Sequence, residues 1–210
     1  MKIAILLFDN FTALDVAGPY EVLSNIPGAK IYFTAEQPGI YKNSKCMQIS
    51  ADYSLSDIPD PEILVIPGGF GIDAILGNQN ILNWIKAVHE KSLWTTSVCS
   101  GALLLAEAGI LNGRKATTHW NRVEQLKKYP VEFVNERYVK DGKIITSAGV
   151  SAGIDMALYL TGLAFNDKLA QLIQLAMEYD PQPPFNSGSP QKAPKEILEL
   201  FKSAKASGKK

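Results

Sequence analysis

The chain alternates short, continuously apolar runs with segments whose apolar residues recur at helical spacing. Residues 3–8, 30–34, 63–66 and 94–98 read as strands. Ile63-Leu64-Val65-Ile66 has no polar position at all. Such a run suits a strand covered on both faces, as in a parallel sheet. Residues 12–23 open with a polar turn and carry Leu14, Val16, Ala17, Val22 and Leu23, which fits a turn followed by a helix, with Pro19 near the helix start. Residues 80–91 set Ile81, Leu82, Ile85 and Val88 on one helical stripe. Further helices are expected over 101–108, 121–128, 151–165, 168–177 and 194–203, and a short strand over 115–118. Hairpins are expected over 39–53, turning at Lys42-Asn43-Ser44-Lys45, and at Asp141-Gly142. Asp180-Pro181-Gln182-Pro183-Pro184-Phe185 reads as an irregular arm, and a lysine-rich tail closes the chain.

Strands alternating with helices imply an α/β fold with a mainly parallel sheet. Sites in such sheets lie beyond the carboxyl ends of the strands, which nominates residues 9–15, 68–71 and 99–101. The 210 residues fit one domain, with the arm and tail from about 180 to 210 appended. Lys plus Arg equals Asp plus Glu at 21 each, so charge offers no case for nucleic acid or for a polybasic membrane surface. No run approaches the ~18 apolar residues of a membrane span. The first apolar run ends at Asp9-Asn10, too early for a signal-peptide core. With two dispersed cysteines, these features lead us to expect a cytoplasmic protein with reduced thiols.

The strongest chemical signal is Ser97-Val98-Cys99-Ser100-Gly101, where a buried strand runs straight into an apolar helix. Small residues flank the cysteine, as in a nucleophile elbow. A sharp strand-to-helix turn exposes the side chain, and the helix N-terminus favours thiolate. The bland alternative is a buried structural cysteine. Cys46 lies beside a polar turn with no helix behind it and has little claim to catalysis. Pro67-Gly68-Gly69-Phe70-Gly71 is either an oxyanion hole facing Cys99 or only a tight turn; no Lys-Ser/Thr follows, as a phosphate loop would need. Asp15 in an apolar stretch is either a helix cap or a buried carboxylate able to handle a proton. His119, after Thr118, is a second thought as partner to Cys99, and His89 falls on the outer face of a helix. Two histidines and two cysteines make no metal cluster.

Taken together, Leu14-Asp15-x-x-Gly18-Pro19, Ile66-Pro67-Gly68-Gly69, the Cys99 elbow, Ala116-Thr117-Thr118-His119-Trp120, Ala152-Gly153-Ile154-Asp155 and Glu178 to Phe185 resemble the ThiJ/PfpI superfamily. The set is most similar to its isonitrile hydratase branch. The resemblance implies a flavodoxin-like three-layer sandwich of the class I glutamine amidotransferase type. It implies hydration of an isonitrile to an N-substituted formamide, with Cys99 as nucleophile and Asp15 as assisting carboxylate. Ser100 takes the place of a threonine in the branch. The oxyanion role falls on the backbone N–H groups of Gly69 and Ser100, beside Gly68, with His119 and Thr118 in support. The resemblance further implies a small-molecule substrate, a homodimer, and neither metal nor organic cofactor. Rival readings stay open. PfpI-type proteases or amidases carry His where Ser100 stands; glyoxalase-like relatives use Glu where Asp15 stands. A free-standing thiol redox sensor is the non-enzymatic reading. Regulators with an AraC-type helix-turn-helix are a poorer fit, because the chain ends soon after Phe201.

Overall fold

A computed structural model describes residues 1–206; the last lysines of the tail, at 209 and 210, lie outside the described residues. The elements run β1 (Lys2–Leu6), α1 (Ala13–Ser24), β2 (Lys30–Ala35), β3 (Gly39–Lys42), β4 (Gln48–Ala51), β5 (Tyr53–Ser54), β6 (Ile63–Ile66), α2 (Ile72–Ile75) and α3 (Gln79–Lys91). They continue with β7 (Trp94–Val98), α4 (Ala102–Glu107), β8 (Lys115–Ala116), α5 (Val123–Leu126), β9 (Glu132–Phe133), β10 (Tyr138–Asp141), β11 (Ile144–Ser147), α6 (Ala152–Ala164), α7 (Asp167–Ala176) and α8 (Lys195–Ala206). Chain contacts divide the molecule into a unit over 1–177 and a second over 178–210. The second holds the proline-rich stretch, without helix or strand, and α8. No helix among the described residues is long and apolar enough to cross a membrane.

Seven strands form the main sheet in the order β10-β11-β7-β6-β1-β2-β5. Every neighbouring pair is parallel except the β10–β11 hairpin. The sheet is thus the mainly parallel centre of a flavodoxin-like α/β sandwich. Ile63, Leu64, Val65 and Ile66 are fully buried, as are Ile3 to Leu6, because helices cover both faces. From β1 the chain builds outward through β2 to β5, then returns to add β6 and β7 on the other side. The reversal leaves a crevice between β1 and β6 at their carboxyl ends. The segments after β1, β6 and β7 all emerge there.

Local chemistry explains most element boundaries. Asn78 caps α3, its side chain accepting from the N–H groups of Asn80 and Ile81. Helix α4 is buried all round, which its unbroken Ala102-Leu103-Leu104-Leu105-Ala106 run demands. Helix α1 begins at Ala13, so Pro19 lies well inside it and not near its start. Proline there gives up the N–H bond to the Asp15 carbonyl. The position is held by packing on α6: a Cβ on Gly153 would lie 3.2 Å from the Pro19 ring, and one on Gly18 would lie 3.0 Å from Ile154. The strand expected over 115–118 stops at Ala116, since Thr117 and Thr118 turn to hydrogen bonds elsewhere. His89 is half-buried, contrary to the outer-face expectation, with Nδ1 2.8 Å from Thr95 Oγ1. Burial and the nearby Lys143 and Arg114 charges hold its pKa below the usual histidine value.

Candidate active site

Cys99 follows β7 directly and opens a 3-10 turn that runs into α4. Its φ is 58°, a left-handed conformation that a side chain adopts only when its surroundings enforce it. Two glycines do the enforcing. A Cβ on Gly101 would sit 2.2 Å from the Ile66 carbonyl oxygen, so only glycine lets the turn close on β6. A Cβ on Gly149, after β11, would lie 2.5 Å from the Cys99 Cβ. Gly149 therefore forms a bare backbone wall against Cys99. The sequence reading passed over it, although it lies two residues beyond β11, the strand beside β7.

Asp15 has no solvent exposure at all. It is not the helix cap: Thr12 holds that position, and the Asp15 N–H reaches the Thr12 carbonyl at 3.0 Å. Its carboxyl Oδ2 accepts from the Gly68 N–H at 3.0 Å. Oδ1 is buried without a conventional donor. The Cys99 thiol lies beside the carboxyl and is a proton source for it. Burial pushes the Asp15 pKa up to about 7, with the Gly68 N–H and Cys99 thiol opposing the rise. Burial, then the Asp15 charge, pushes the Cys99 thiol well above its ordinary value. The Ser100 N–H, and its side chain to a lesser degree, pull the other way. The resting pair is thus a neutral thiol beside a carboxyl poised between its two forms at neutral pH.

The glycine loop does something different from what the sequence suggests. An oxyanion hole needs free amides, yet the Gly68 N–H is taken by Asp15 and the Gly69 N–H donates to Ser100 Oγ at 3.0 Å. Ser100 Oγ also lies 3.2 Å from the Gly69 carbonyl, to which it donates. Buried oxygens without water need such donors. The loop therefore holds the carboxyl and the hydroxyl, and the backbone amide at the sulfur is that of Ser100. Gly69 adopts φ 150°, and a Cβ there would meet the Asn10 carbonyl at 2.4 Å.

Thr118 touches the backbone of the elbow: its Oγ1 donates to the Cys99 carbonyl at 2.9 Å. His119 turns to its own segment, where Nδ1 accepts from the Asn121 N–H and the ring lies 5.6 Å from that of Trp120. Asp155 is engaged by the Arg137 guanidinium, which also reaches Ser151. Cys46 is exposed in the β3–β4 turn. Among the described residues, no group of three or more His, Cys, Asp or Glu is placed to hold a metal ion.

A DJ-1/PfpI family model matches residues 1–162. The chain belongs to the DJ-1/PfpI family. It is 35% identical to the isonitrile hydratase of Pseudomonas putida over 199 residues, covering 95% of this chain and 87% of that protein. The crystal structure of a ThiJ/PfpI family protein from Pseudomonas syringae superposes with a TM-score of 0.93 at 32% identity, covering 98% of this chain and 86% of the other. A deglycase from Thermococcus kodakarensis is 26% identical over 149 residues, 70% of this chain and 89% of that protein. Family membership thus accounts for the fold and spans enzymes of more than one activity.

Proposed function

We propose that this DJ-1/PfpI protein hydrates isonitriles to N-substituted formamides through Cys99. The observation that carries the reading is the Asp15–Cys99 pair. A fully buried carboxyl with a pKa near neutrality stands beside a thiol at a left-handed elbow. The similarity to an isonitrile hydratase over 95% of the chain supports the choice of substrate. A carboxylate beside a neutral thiol is suited to moving one proton back and forth, which this reaction requires twice.

In the first half, ionised Asp15 takes the thiol proton as sulfur bonds to the terminal carbon of R–N≡C. Asp15 then returns that proton to the same carbon, leaving the thioimidate R–N=CH–S–Cys99. The Ser100 N–H steadies the charge that passes through the sulfur, while the Ser100 hydroxyl ties the elbow to Gly69. In the second half, Asp15 draws a proton from water as its oxygen bonds to the thioimidate carbon. Asp15 hands that proton to nitrogen; the C–S bond then breaks as the added hydroxyl becomes the formyl C=O, its proton passes to the sulfur through Asp15, and R–NH–CHO leaves with the thiol restored. The sum is addition of one water to one isonitrile.

Burial and the raised thiol pKa weigh against a redox-sensing role, which rests on an accessible, acidic thiol. Ser100, in place of histidine, weighs against the protease or amidase reading. The test is formamide production from a panel of isonitriles by the wild type and by Cys99→Ala and Asp15→Asn. Turnover by the wild type with loss in both variants is expected. Undiminished turnover by Cys99→Ala overturns the proposal.

A further inference from the structure

Two segments leave the elbow and meet again away from it. The glycine loop is pinned at Gly69, whose N–H donates to Ser100 Oγ at 3.0 Å. Asp73 lies four residues further on. The second segment is pinned at Thr118, whose Oγ1 donates to the Cys99 carbonyl at 2.9 Å. Arg122 lies four residues further on. Arg122 then grips Asp73 with both arms of its guanidinium, Nη1 to Oδ1 at 2.9 Å and Nη2 to Oδ2 at 2.7 Å. Gln125 braces the pair, its Oε1 accepting from Nη1 at 2.8 Å and its Nε2 donating to Oδ1 at 3.3 Å. The Arg122 side chain is only 19% exposed, so the grip is partly sheltered from water and salt.

These contacts close a ring that runs Cys99, Thr118, Arg122, Asp73, Gly69, Ser100 and back to Cys99. Each span is four residues, at most about 14 Å when fully extended and shorter in the turns found here. Phe70, which is 58% exposed, rides on one span, and Trp120, partly exposed, rides on the other. Asp15 and the backbone of Gly149 lie against Cys99.

We propose that the Arg122–Asp73 pair is the strut that sets the width of the opening to the Cys99 sulfur. It thereby selects the R group of the isonitrile by size, with Phe70 and Trp120 as apolar edges. The choice of isonitrile rests on the function proposed above; the strut does not. A bidentate guanidinium–carboxylate pair fixes both distance and angle between the spans, which a lysine cannot do. Arg122 and Asp73 are positioning residues that act through the two spans and do not touch the reacting atoms.

The test uses the full chain with Arg122→Ala, Arg122→Lys, Asp73→Asn and the exchanged double variant Asp73→Arg/Arg122→Asp. Alkylation of Cys99 by iodoacetamide and by pyrene maleimide is followed by peptide-resolved mass spectrometry, which separates Cys99 from Cys46. The bulky-to-small rate ratio is expected to rise roughly threefold or more in Arg122→Ala, Arg122→Lys and Asp73→Asn, and to fall back in the exchanged double variant, as a broken and rebuilt pair requires. In parallel, the KM for benzyl isonitrile is expected to fall relative to that for methyl isonitrile, with the ratio of their kcat values moving less. Equal changes in both alkylation rates, or an unmoved ratio, overturn the strut. If the ratio moves while wild-type protein turns over no isonitrile, the proposed function fails and the strut stands.

Discussion

Cys46 and Cys99 share a residue type and a left-handed backbone, with φ of 68° and 58°. Nothing else about them is alike. Cys46 is exposed in the β3–β4 turn, where its N–H reaches the Asn43 carbonyl at 3.2 Å. Its positive φ merely closes that turn. Cys99 is 7% exposed and packed against Gly149, with Asp15 and Ser100 at its sulfur. There the surrounding structure holds the strained backbone in place. Neither the thiol nor the strained backbone tells the two cysteines apart; burial and neighbouring groups do.

The contrast breaks most sharply on activity. Cys99→Ala is expected to lower isonitrile turnover by roughly a thousandfold or more, whereas Cys46→Ala leaves it within about twofold. Formamide production measures both, and an equal loss would erase the distinction.

The next effect concerns the group that distinguishes the two thiols. Asp15 has a folded pKa of about 7 against an ordinary 3.8, so the folded state holds its proton more tightly than the unfolded chain does. Its contribution to stability is therefore full at low pH and is lost as pH rises from about 4 to 7, on the order of a few kcal/mol. Asp15→Asn should remove that decline and raise the unfolding free energy at pH 8, measured by denaturant titration, while lowering turnover. The wild-type kcat/KM should climb through about pH 7 as Asp15 ionises, and Asp15→Asn should lack that limb. A stability profile shared by wild type and variant would show that the carboxyl is not strained by burial.

Gly101→Ala tests the elbow's support. Its Cβ would meet the Ile66 carbonyl, and a backbone atom cannot swing aside. A loss of about 1–3 kcal/mol in unfolding free energy is expected, with Cys99 displaced in a crystal structure of the variant. The smallest effect lies at the other thiol. Cys46→Gly should raise stability by about 0.5 kcal/mol or less, because glycine accepts the positive φ but loosens the unfolded chain. A drop in the melting temperature would show that the Cys46 side chain contributes packing that its exposure conceals.

Much of the fold was readable from the chain because its signals are local. The runs over 3–8, 30–34, 63–66 and 94–98 became β1, β2, β6 and β7, and the stripe of Ile81, Leu82, Ile85 and Val88 became the buried face of α3. The elbow was readable for the same reason: strand, cysteine, small residues and apolar helix are contiguous. Short elements were less visible. β9 is two residues long and exists because Lys115 and Ala116 pair with Glu132 and Phe133. Pro19 misled because proline usually marks a helix start, while here the tight contact with Gly153 of α6 accommodates it inside α1.

By itself, then, the sequence determined the layered α/β architecture, the strand–helix junction at Cys99 and the set of segments that emerge beside it. Those follow from hydrophobic periodicity and backbone preference, which act over a few residues. Only the tertiary structure decided what those segments do to one another. It gave the amides of Gly68 and Gly69 to Asp15 and Ser100, set Gly149 against Cys99, and joined Asp73 to Arg122 across 49 positions of chain. Hydrogen bonds and desolvation depend on distances in space, and only the strand order brings these residues within reach.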